Sequence, residues 1–360
     1  MLVSAAGASA ATREPIALIN GGHRGSPGAQ PAARLPRPAI VRRLASRGAG
    51  SAGADQGPLA VSSSVYGPEQ EAAVGAALAG LDHGPEIAQL SVYLASPEEL
   101  AATCGAVVVA CYSPDEDRMV VSGAGQASAG VPRAFAIAHE YGHHIANTQQ
   151  ADLEPPIDAG TIRWATYERV CQLTRRGILF PGDQGAHYWA DPGEAFAESY
   201  AHLADPQARV AWQYAPQLRP TRASLAKLQA DISAPWSGPI SISWSGSVPA
   251  PPPAPPRRQS LGAGTGLSSA IAVSPAPGTA ARLVRTPLDG TVAVSVRATA
   301  GGELDVILRD AAGGRVLRRA VAGAEGAGTL SYPNCGHDSL WLEVRSGGGD
   351  GGFEATISTP

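Results

Sequence analysis

The spacing of apolar residues divides the chain into two regions of different character. Between residues 65 and 248, apolar positions recur at helical intervals and predict helices over Pro68–Leu81, 131–148, Ile162–Arg176, Pro192–Leu203 and Ser224–Ile232. Alternating apolar runs predict strands over Ile87–Ala95, Val107–Tyr112 and Arg118–Ser122. This mixture of helices and strands predicts an α+β domain.

The remaining segments have other patterns. Residues 259–360 carry short alternating runs such as Leu304–Leu308 and Leu340–Val344, separated by Gly-rich turns, which predicts an all-β antiparallel sandwich domain. Residues 249–258 are dominated by Pro and predict a semi-rigid linker. Residues 1–64 are rich in small residues, Pro and Arg with no sustained period, which predicts a disordered leader or pro-segment.

Composition and charge exclude several classes of protein. The chain has 360 residues, of which 44% are hydrophobic, enough for about two domains with real cores. A net charge of −4 and a pI near 6.1 argue against a nucleic-acid binder. No apolar run reaches the roughly 18 residues that a membrane-spanning helix needs. The segment Met1–Ala11 is open to two interpretations, an alanine-rich disordered start or the tail of a signal peptide.

The strongest chemical signal lies in the segment Ala138–His144, which contains the pattern HExxH. On a helix, His139 and His143 lie on one face and can bind one metal ion together. Glu140 is the next residue, placed to accept a proton from a metal-activated water. Two imidazoles and a neighbouring carboxylate in this order predict a catalytic zinc site with one zinc ion per chain.

A catalytic zinc site needs a third protein ligand. Glu194 and Glu198 lie one turn apart on the predicted helix that begins at Pro192. We predict that Glu194 binds the metal and that Glu198 orients a ligand histidine by hydrogen bonding. An alternative for Glu194 is a capping box with Asp191 at the start of this helix, which would leave Glu198 without a role.

The His139–His143 pattern followed by Glu194-x-x-x-Glu198 resembles the gluzincin metallopeptidases. Over residues 85 to 205 the chain looks like anthrax lethal factor-like catalytic domains, and it also looks like a group of secreted actinobacterial peptidases. This resemblance implies a zincin-like fold, with His139, His143 and Glu194 as zinc ligands and Glu140 as general base. The segment Gly302–Asp310 is similar to a strand of the bacterial pre-peptidase C-terminal domain.

The resemblance also implies a tyrosine that stabilises the oxyanion, for which Tyr188 is the candidate and His187 the alternative. His144 is expected to face away from the metal, as a surface residue or a residue beside the ligands. In zincins the edge strand of the sheet pairs with the substrate backbone, and Arg118–Ser122 is the candidate for that strand.

The four cysteines allow two disulfides. Cys104 and Cys111 can bridge only if the chain bends back between them, which Gly105 permits and the run of Val residues at 107–109 disfavours. The secreted peptidases that the chain resembles have cysteines at similar points of their sequences, which favours a disulfide between Cys104 and Cys111. Cys171 and Cys335 would then be free or joined across the two domains.

These observations together predict a secreted, monomeric zinc metallopeptidase that hydrolyses peptide bonds in peptides or proteins. The alternative is a secreted module that binds zinc for adhesion or binding and has no proteolytic activity. The presence of Glu140 favours the enzyme, because a binding module has no need of a general base.

Overall fold

The structure is a computed structural model, and it divides the chain into two compact units, one ending at Pro235 and the other continuing from Trp236. The residues that it describes are 42–44 (backbone only), 59–105, 108–124, 131–149, 156–251, 278–312, 314–323 and 326–360. The N-terminal unit mixes helices with one sheet, and the C-terminal unit contains antiparallel sheets. The α+β region and the following β-sandwich are therefore confirmed at this level. The predicted linker 249–258 lies outside the described residues from 252 onward.

The sheet of the N-terminal unit has five strands in the order β1-β2-β3-β5-β4. The strands are β1 (Arg42–Leu44), β2 (Leu59–Ser63), β3 (Ser91–Ala95), β4 (Ala110–Ser113) and β5 (Arg118–Ser122). Strands β2, β3 and β5 run parallel to one another, whereas β1 pairs antiparallel with β2 and β4 pairs antiparallel with β5 through a tight turn. Strand β5 is therefore interior, and the prediction that Arg118–Ser122 forms the edge is wrong. The turn after Ser113 folds β4 outside β5 and makes β4 the edge.

Helices cover both faces of this sheet. Alternate residues of β3 explain why, since Val92 and Leu94 face the main core while Tyr93 and Ala95 face a smaller cluster around Leu100. The helices are α1 (Pro68–Ala79), α2 (Pro97–Cys104), α3 (Arg133–Thr148), α4 (Pro156–Ala159), α5 (Ile162–Tyr167), α6 (Val170–Arg175), α7 (Pro192–Ala204) and α8 (Arg222–Ser233). In the described part of the chain, no helix is long and apolar enough to cross a membrane.

Most predicted helices form close to their expected bounds, but the predicted helix Ile162–Arg176 is interrupted. Arg169 adopts a left-handed conformation (φ 59°) and separates α5 from α6. Trp164 and Val170 are both buried. In a continuous helix, residues six apart would point about 120° away from each other. The interruption lets both side chains enter the same core.

The predicted leader 1–64 is partly wrong, because its last residues belong to the folded unit. Strand β2 lies inside the sheet, where it pairs with β3, and Leu59 and Val61 are buried in the main core. Strand β1 pairs with β2 from further upstream. A parallel strand gains its stability from partners distant in sequence, so a five-residue strand after a low-complexity segment gives little local signal.

Cys104 and Cys111 form a disulfide, with their Cα atoms 5.9 Å apart. The bend that makes this possible occurs at Gly105, which ends α2 with a φ of 120° that favours glycine. The bridge therefore joins the end of α2 to the edge strand β4. None of the four cysteines, all in the described part of the chain, is free, so the alternative of free thiols at Cys171 and Cys335 is wrong.

The C-terminal unit consists of two four-stranded antiparallel sheets in the orders β10-β9-β12-β7 and β11-β8-β13-β6. Their strands are β6 (Ile240–Val248), β7 (Thr279–Arg285), β8 (Gly290–Ala300), β9 (Leu304–Asp310), β10 (Val316–Ala322), β11 (Gly328–Asn334), β12 (Ser339–Ser346) and β13 (Gly351–Thr359). Residues of both sheets pack in one core, including Val294, Leu308, Leu342 and Phe353.

Strand β6 corrects the predicted domain boundary. The pattern of apolar residues assigns this strand to the first domain, with a predicted end at residue 248. In the structure β6 pairs along its length with β13, at the far end of the chain. The sandwich therefore begins before the Pro-rich segment and not after it.

Candidate metal centre

Helix α3 carries the two histidines of the HExxH pattern. It packs through Phe135, Ala138, Tyr141 and Ile145 into the main core, which fixes its rotation about its own axis. His139 and His143 then point to the same side of the helix, with ring centroids 5.0 Å apart, and both are almost fully buried. Two imidazoles one turn apart on a buried helix face are typical of metal ligands.

Helix α7 supplies the third side chain. Asp191 caps its first turn by accepting a hydrogen bond from the backbone N–H of Gly193 at 2.9 Å, and Pro192 follows at the first helical position. Glu194 does not turn back toward the cap as the capping alternative proposed. Its carboxylate points toward the histidines of α3, and it is fully buried.

The three side chains meet at distances that fit a zinc ion. Glu194 Oε2 lies 3.4 Å from His139 Nε2 and 3.6 Å from His143 Nε2. With zinc–ligand bonds of about 2.0–2.2 Å, tetrahedral ligands lie about 3.3–3.6 Å apart. The Nε2 atom of His139 is buried without a hydrogen-bond partner in the described structure. His139, His143 and Glu194 therefore form a group that could hold a metal ion.

A close approach of α3 and α7 brings the two halves of the centre together. Gly142 lies at their contact, where an added Cβ would be 2.8 Å from Ala197 Cα and 3.2 Å from Tyr200 Cβ. Real Cβ atoms essentially never approach other atoms as closely as 2.8 Å, so a larger residue would push the helices apart. The absence of a side chain at position 142 thus keeps Glu194 within reach of the histidines.

Glu198 contacts one of the two histidines of α3. Its Oε2 atom accepts a hydrogen bond from His139 Nδ1 at 3.1 Å. When Nδ1 carries the proton, Nε2 keeps its lone pair for a metal, so Glu198 fixes both the tautomer and the orientation of the ring. His202 Nε2 lies 3.8 Å from the other oxygen of Glu198, one turn further along α7.

Glu140 is the least satisfied side chain of the centre. It is fully buried, and neither of its carboxylate oxygens has a hydrogen-bond partner within the described residues. Burial raises the pKa of Glu140 to about 8, and the nearby Glu194 carboxylate adds to the rise while His139 opposes it. A buried carboxylate with no partner needs a ligand, a cation or a water that it can address.

The pKa values of His139 and Glu194 are shifted by the contact between these two side chains. Burial acts to lower the pKa of His139, but the carboxylates of Glu194 and Glu198 outweigh it and raise that pKa to about 9. Burial acts to raise the pKa of Glu194, but the charges of His143 and His139 hold it well below its usual range.

Two tyrosine hydroxyls border the carboxylate of Glu194. Tyr188 precedes α7 in a short 3-10 helix and donates to Glu194 Oε2 at 3.0 Å. Tyr214 donates to the same oxygen at 3.5 Å, and its hydroxyl lies 3.4 Å from that of Tyr188. Burial, followed by the charge of Glu194, raises the pKa of both tyrosines, so both phenols stay neutral donors.

Sequence reasoning missed Tyr214 and also Gln184, whose Nε2 lies 3.3 Å from Asp191 Oδ2 and 3.5 Å from Glu194 Oε1. Both lie in loops without periodic pattern. The only local signal for Tyr214 is the aromatic pair that it forms with Trp212 in a segment otherwise low in aromatic residues.

The two remaining histidine candidates, His187 and His144, contact residues other than the three candidate ligands. His187 donates a hydrogen bond from Nδ1 to Asp183 Oδ2 at 2.8 Å and stacks on Phe180, and its side chain is 49% exposed. His144 is not a surface residue, because it is fully buried. It hydrogen bonds to the Tyr112 hydroxyl of β4 at 3.0 Å and to the backbone oxygen of Glu86 at 2.9 Å. It therefore fastens α3 to the edge strand.

No protein-family model matches the chain, and no curated protein matches its sequence. Among solved structures, the Yersinia pseudotuberculosis-derived mitogen is 11% identical, with a TM-score of 0.23 over 34% of this chain and 86% of its own. PirA is 17% identical, with a TM-score of 0.21 over 33% of this chain and 92% of its own.

A structure of Bacillus endospore appendages, described as disulfide-linked pili, is 9% identical, with a TM-score of 0.20 over 34% of this chain and 85% of its own. These TM-scores are too low for any of the three likenesses to carry an argument about the fold or the function. The assignment of function therefore rests on the metal centre itself.

Proposed function

We propose that the protein is a zinc-dependent metallopeptidase with a zincin-like N-terminal domain. The observation that carries the proposal is the convergence of three buried ligand atoms, from His139, His143 and Glu194, beside the unpartnered carboxylate of Glu140. A purely structural zinc site would fill its fourth position with a protein ligand. Here the side chain next to the ligands is a base.

The donor set favours zinc. Two imidazole nitrogens and one carboxylate oxygen are the ligands of thermolysin-like catalytic sites, and the separations of 3.4 and 3.6 Å suit tetrahedral coordination. When bound, zinc acts as a Lewis acid on the scissile carbonyl and lowers the pKa of water toward neutrality.

Glu140 is the general base in this proposal. It takes one proton from the water whose oxygen forms the new bond to the carbonyl carbon, and it returns that proton to the amine nitrogen as the C–N bond breaks. A divalent ion held by His139, His143 and Glu194 would lower the pKa of Glu140 by charge attraction and would favour the ionised carboxylate that a general base needs. The products are a carboxylic acid and an amine, so the atoms and protons balance.

Glu198 and Tyr188 complete the site. Glu198 holds the ring of His139 through the 3.1 Å hydrogen bond to Nδ1. The Tyr188 hydroxyl, 3.0 Å from Glu194 Oε2, is close enough to turn toward the carbonyl oxygen of the substrate as negative charge develops there.

The substrate backbone would bind along β4, which is the sheet edge nearest to the centre. Tyr112 of β4 contacts His144, the neighbour of the ligand His143 in α3. An extended peptide can add a strand to such an edge through its main-chain hydrogen bonds, which suits peptides and unfolded protein segments.

The disulfide between Cys104 and Cys111 supports a location outside the cytoplasm, because such bonds persist in oxidising compartments. We propose a secreted or cell-envelope enzyme that acts as a monomer and carries one zinc ion per chain.

A metal analysis of the purified protein and a peptide-library digest, with and without chelator, test the proposal together. We expect one zinc per chain and cleavage that chelator abolishes and added zinc restores. Stoichiometric zinc without cleavage of any library member would instead favour the non-proteolytic binding module. Absence of zinc and of cleavage would contradict both.

A further inference from the structure

Both tyrosine hydroxyls of the metal centre compete for one oxygen atom. Tyr188 lies 3.0 Å and Tyr214 lies 3.5 Å from Glu194 Oε2, and the two phenol oxygens are 3.4 Å apart. The same Oε2 atom is the carboxylate oxygen near both imidazoles. The two phenols therefore lie beside the position that the ligand geometry assigns to the metal.

A carboxylate oxygen has two lone pairs. If Glu194 Oε2 binds a metal with one of them, only one lone pair is left for two hydroxyl donors. The hydrogen bond from Tyr188 is of normal length, whereas the one from Tyr214 is at the outer limit. One phenol can thus be fully bonded to Glu194 while the other is available for another acceptor.

Tyr214 is held in place by packing against two tryptophan rings. Its ring lies 5.7 Å from that of Trp189 and 5.6 Å from that of Trp212. Trp212 in turn donates from Nε1 to the backbone oxygen of Ala215 at 3.3 Å. Only 4% of Tyr214 is exposed, so its hydroxyl has to find its acceptor inside the protein.

We propose that Tyr214 is a positioning residue that takes the place of Tyr188 on Glu194 Oε2 when the Tyr188 hydroxyl turns to the carbonyl oxygen of the scissile peptide. The exchange keeps the second lone pair of Glu194 Oε2 hydrogen bonded at every stage. The Tyr188 hydroxyl can therefore turn away without leaving a buried acceptor unpaired. This inference rests on the proposed peptidase function and deepens it. It assigns the hydrogen bond to the oxyanion to Tyr188 and the supporting hydrogen bond to Glu194 to Tyr214.

The test uses Tyr188→Phe, Tyr214→Phe and the double variant in the full-length, zinc-loaded protein. Tyr200→Phe is the matched control, because its hydroxyl is also buried but donates to the backbone oxygen of Asp82 at 2.6 Å, outside the centre. The measurements are kcat and KM on a cleaved peptide, the zinc affinity by competition with a chelator, and the affinity for a phosphonamidate peptide, which mimics the tetrahedral anion.

We expect Tyr188→Phe to lower kcat by about 10²- to 10³-fold, as the loss of an oxyanion donor does. Tyr214→Phe is expected to lower kcat and to weaken phosphonamidate binding by about tenfold each, as the loss of one hydrogen bond does. KM and the zinc affinity of Tyr214→Phe should stay within about twofold of the wild-type values. Because Tyr214 acts through Tyr188, adding Tyr214→Phe to Tyr188→Phe should change kcat less than about twofold.

The inference alone would be overturned by an unchanged kcat and phosphonamidate affinity in Tyr214→Phe, or by a tenfold effect that persists in the Tyr188→Phe background. A loss of the same size in Tyr200→Phe would mean that any buried phenol has this effect, and would also overturn it. Wild-type protein that holds no zinc or cleaves no peptide overturns the proposed function as well, so the two failures are distinguishable.

Discussion

Replacement of Glu140 by Gln separates its chemical role from its effect on stability. The substitution keeps the shape of the side chain and removes its charge. In the zinc-loaded protein we expect Glu140→Gln to retain one zinc per chain and to lose activity by at least about 10²- to 10⁴-fold, since general base catalysis contributes that much. In the metal-free protein the same change should stabilise the fold in a pH-dependent way.

The direction of the stability effect follows from the raised pKa. Below about pH 4.5, Glu140 is protonated in both the folded and the unfolded chain and favours neither. Between its ordinary pKa of 4.5 and its folded-state pKa of about 8, the unfolded chain releases the proton and the folded chain keeps it. The free energy of unfolding therefore falls by about 1.4 kcal/mol for each pH unit over this window.

The full effect is of the order of 5 kcal/mol, because the pKa rises from 4.5 to about 8 and each pKa unit corresponds to about 1.4 kcal/mol. Gln does not ionise, so Glu140→Gln lacks this loss. The difference between the variant and the wild type should grow from near zero at pH 4.5 to several kcal/mol at pH 8. Any constant cost of burying the amide shifts the whole curve and leaves its slope unchanged.

Urea unfolding in the presence of chelator, followed by the circular dichroism of helices between pH 4.5 and 8, measures this slope. The helical signal reports on the N-terminal unit, because the described α-helices all lie there. Glu69→Gln on the exposed surface of α1 is the control and should leave the slope unchanged. Parallel curves for the wild type and Glu140→Gln would refute the argument that burial without a partner governs this carboxylate.

Three further predictions concern the metal ligands and the start of the fold. Glu194→Ala should reduce the zinc content after dialysis far below one per chain, and full retention would show that another group is the third ligand. Glu198→Ala should weaken zinc binding about 10- to 100-fold in a chelator competition, as loss of a supporting carboxylate does; unchanged affinity would contradict its role in orienting His139. Removal of residues 1–58 should preserve the helical signal and the thermal unfolding transition. Removal of residues 1–64 should abolish both, because it also deletes the interior strand β2. Equal stability of the two truncated proteins would show that β2 is dispensable.

The groups of the candidate centre could be predicted from the sequence because each pair is local. His139 and His143 are one turn apart on one helix, and so are Glu194 and Glu198. The chemistry of the residue types and the period of the helix are enough to place each pair on one face. The sequence does not contain the distance between α3 and α7, which depends on the packing around Gly142 and on the surrounding core.

The sequence pattern does not predict strands β2 and β6, because the partners that stabilise them lie far away in the chain. Strand β6 alternates Ser with apolar residues, as an exposed strand does, but the partner that stabilises it is β13. Strand β2 is a short run whose burial comes from its parallel neighbour β3. Local pattern therefore located the helices well and assigned these two segments to the wrong part of the molecule.

Tyr214 illustrates a different limit. It lies in a loop 20 residues after Glu194, and only the folding of that loop back over α7 brings the two side chains together. The break at Arg169 is of the same kind, since a left-handed residue other than Gly is set by the packing of Trp164 and Val170 and has no signature of its own.

The contact at Gly142 has a consequence for how far the metal-binding pattern can vary in this fold. The two middle positions of HExxH carry no ligand and no base, so chemistry alone leaves them open to any residue. Here Tyr141 is buried and donates to Glu86 Oε1 at 2.7 Å, while Gly142 has no room for a side chain beside Ala197. Volume and hydrogen bonding thus restrict the two positions that catalysis ignores, and substitutions there would act on metal affinity from outside the coordination sphere, by changing the spacing of the helices that carry the ligands.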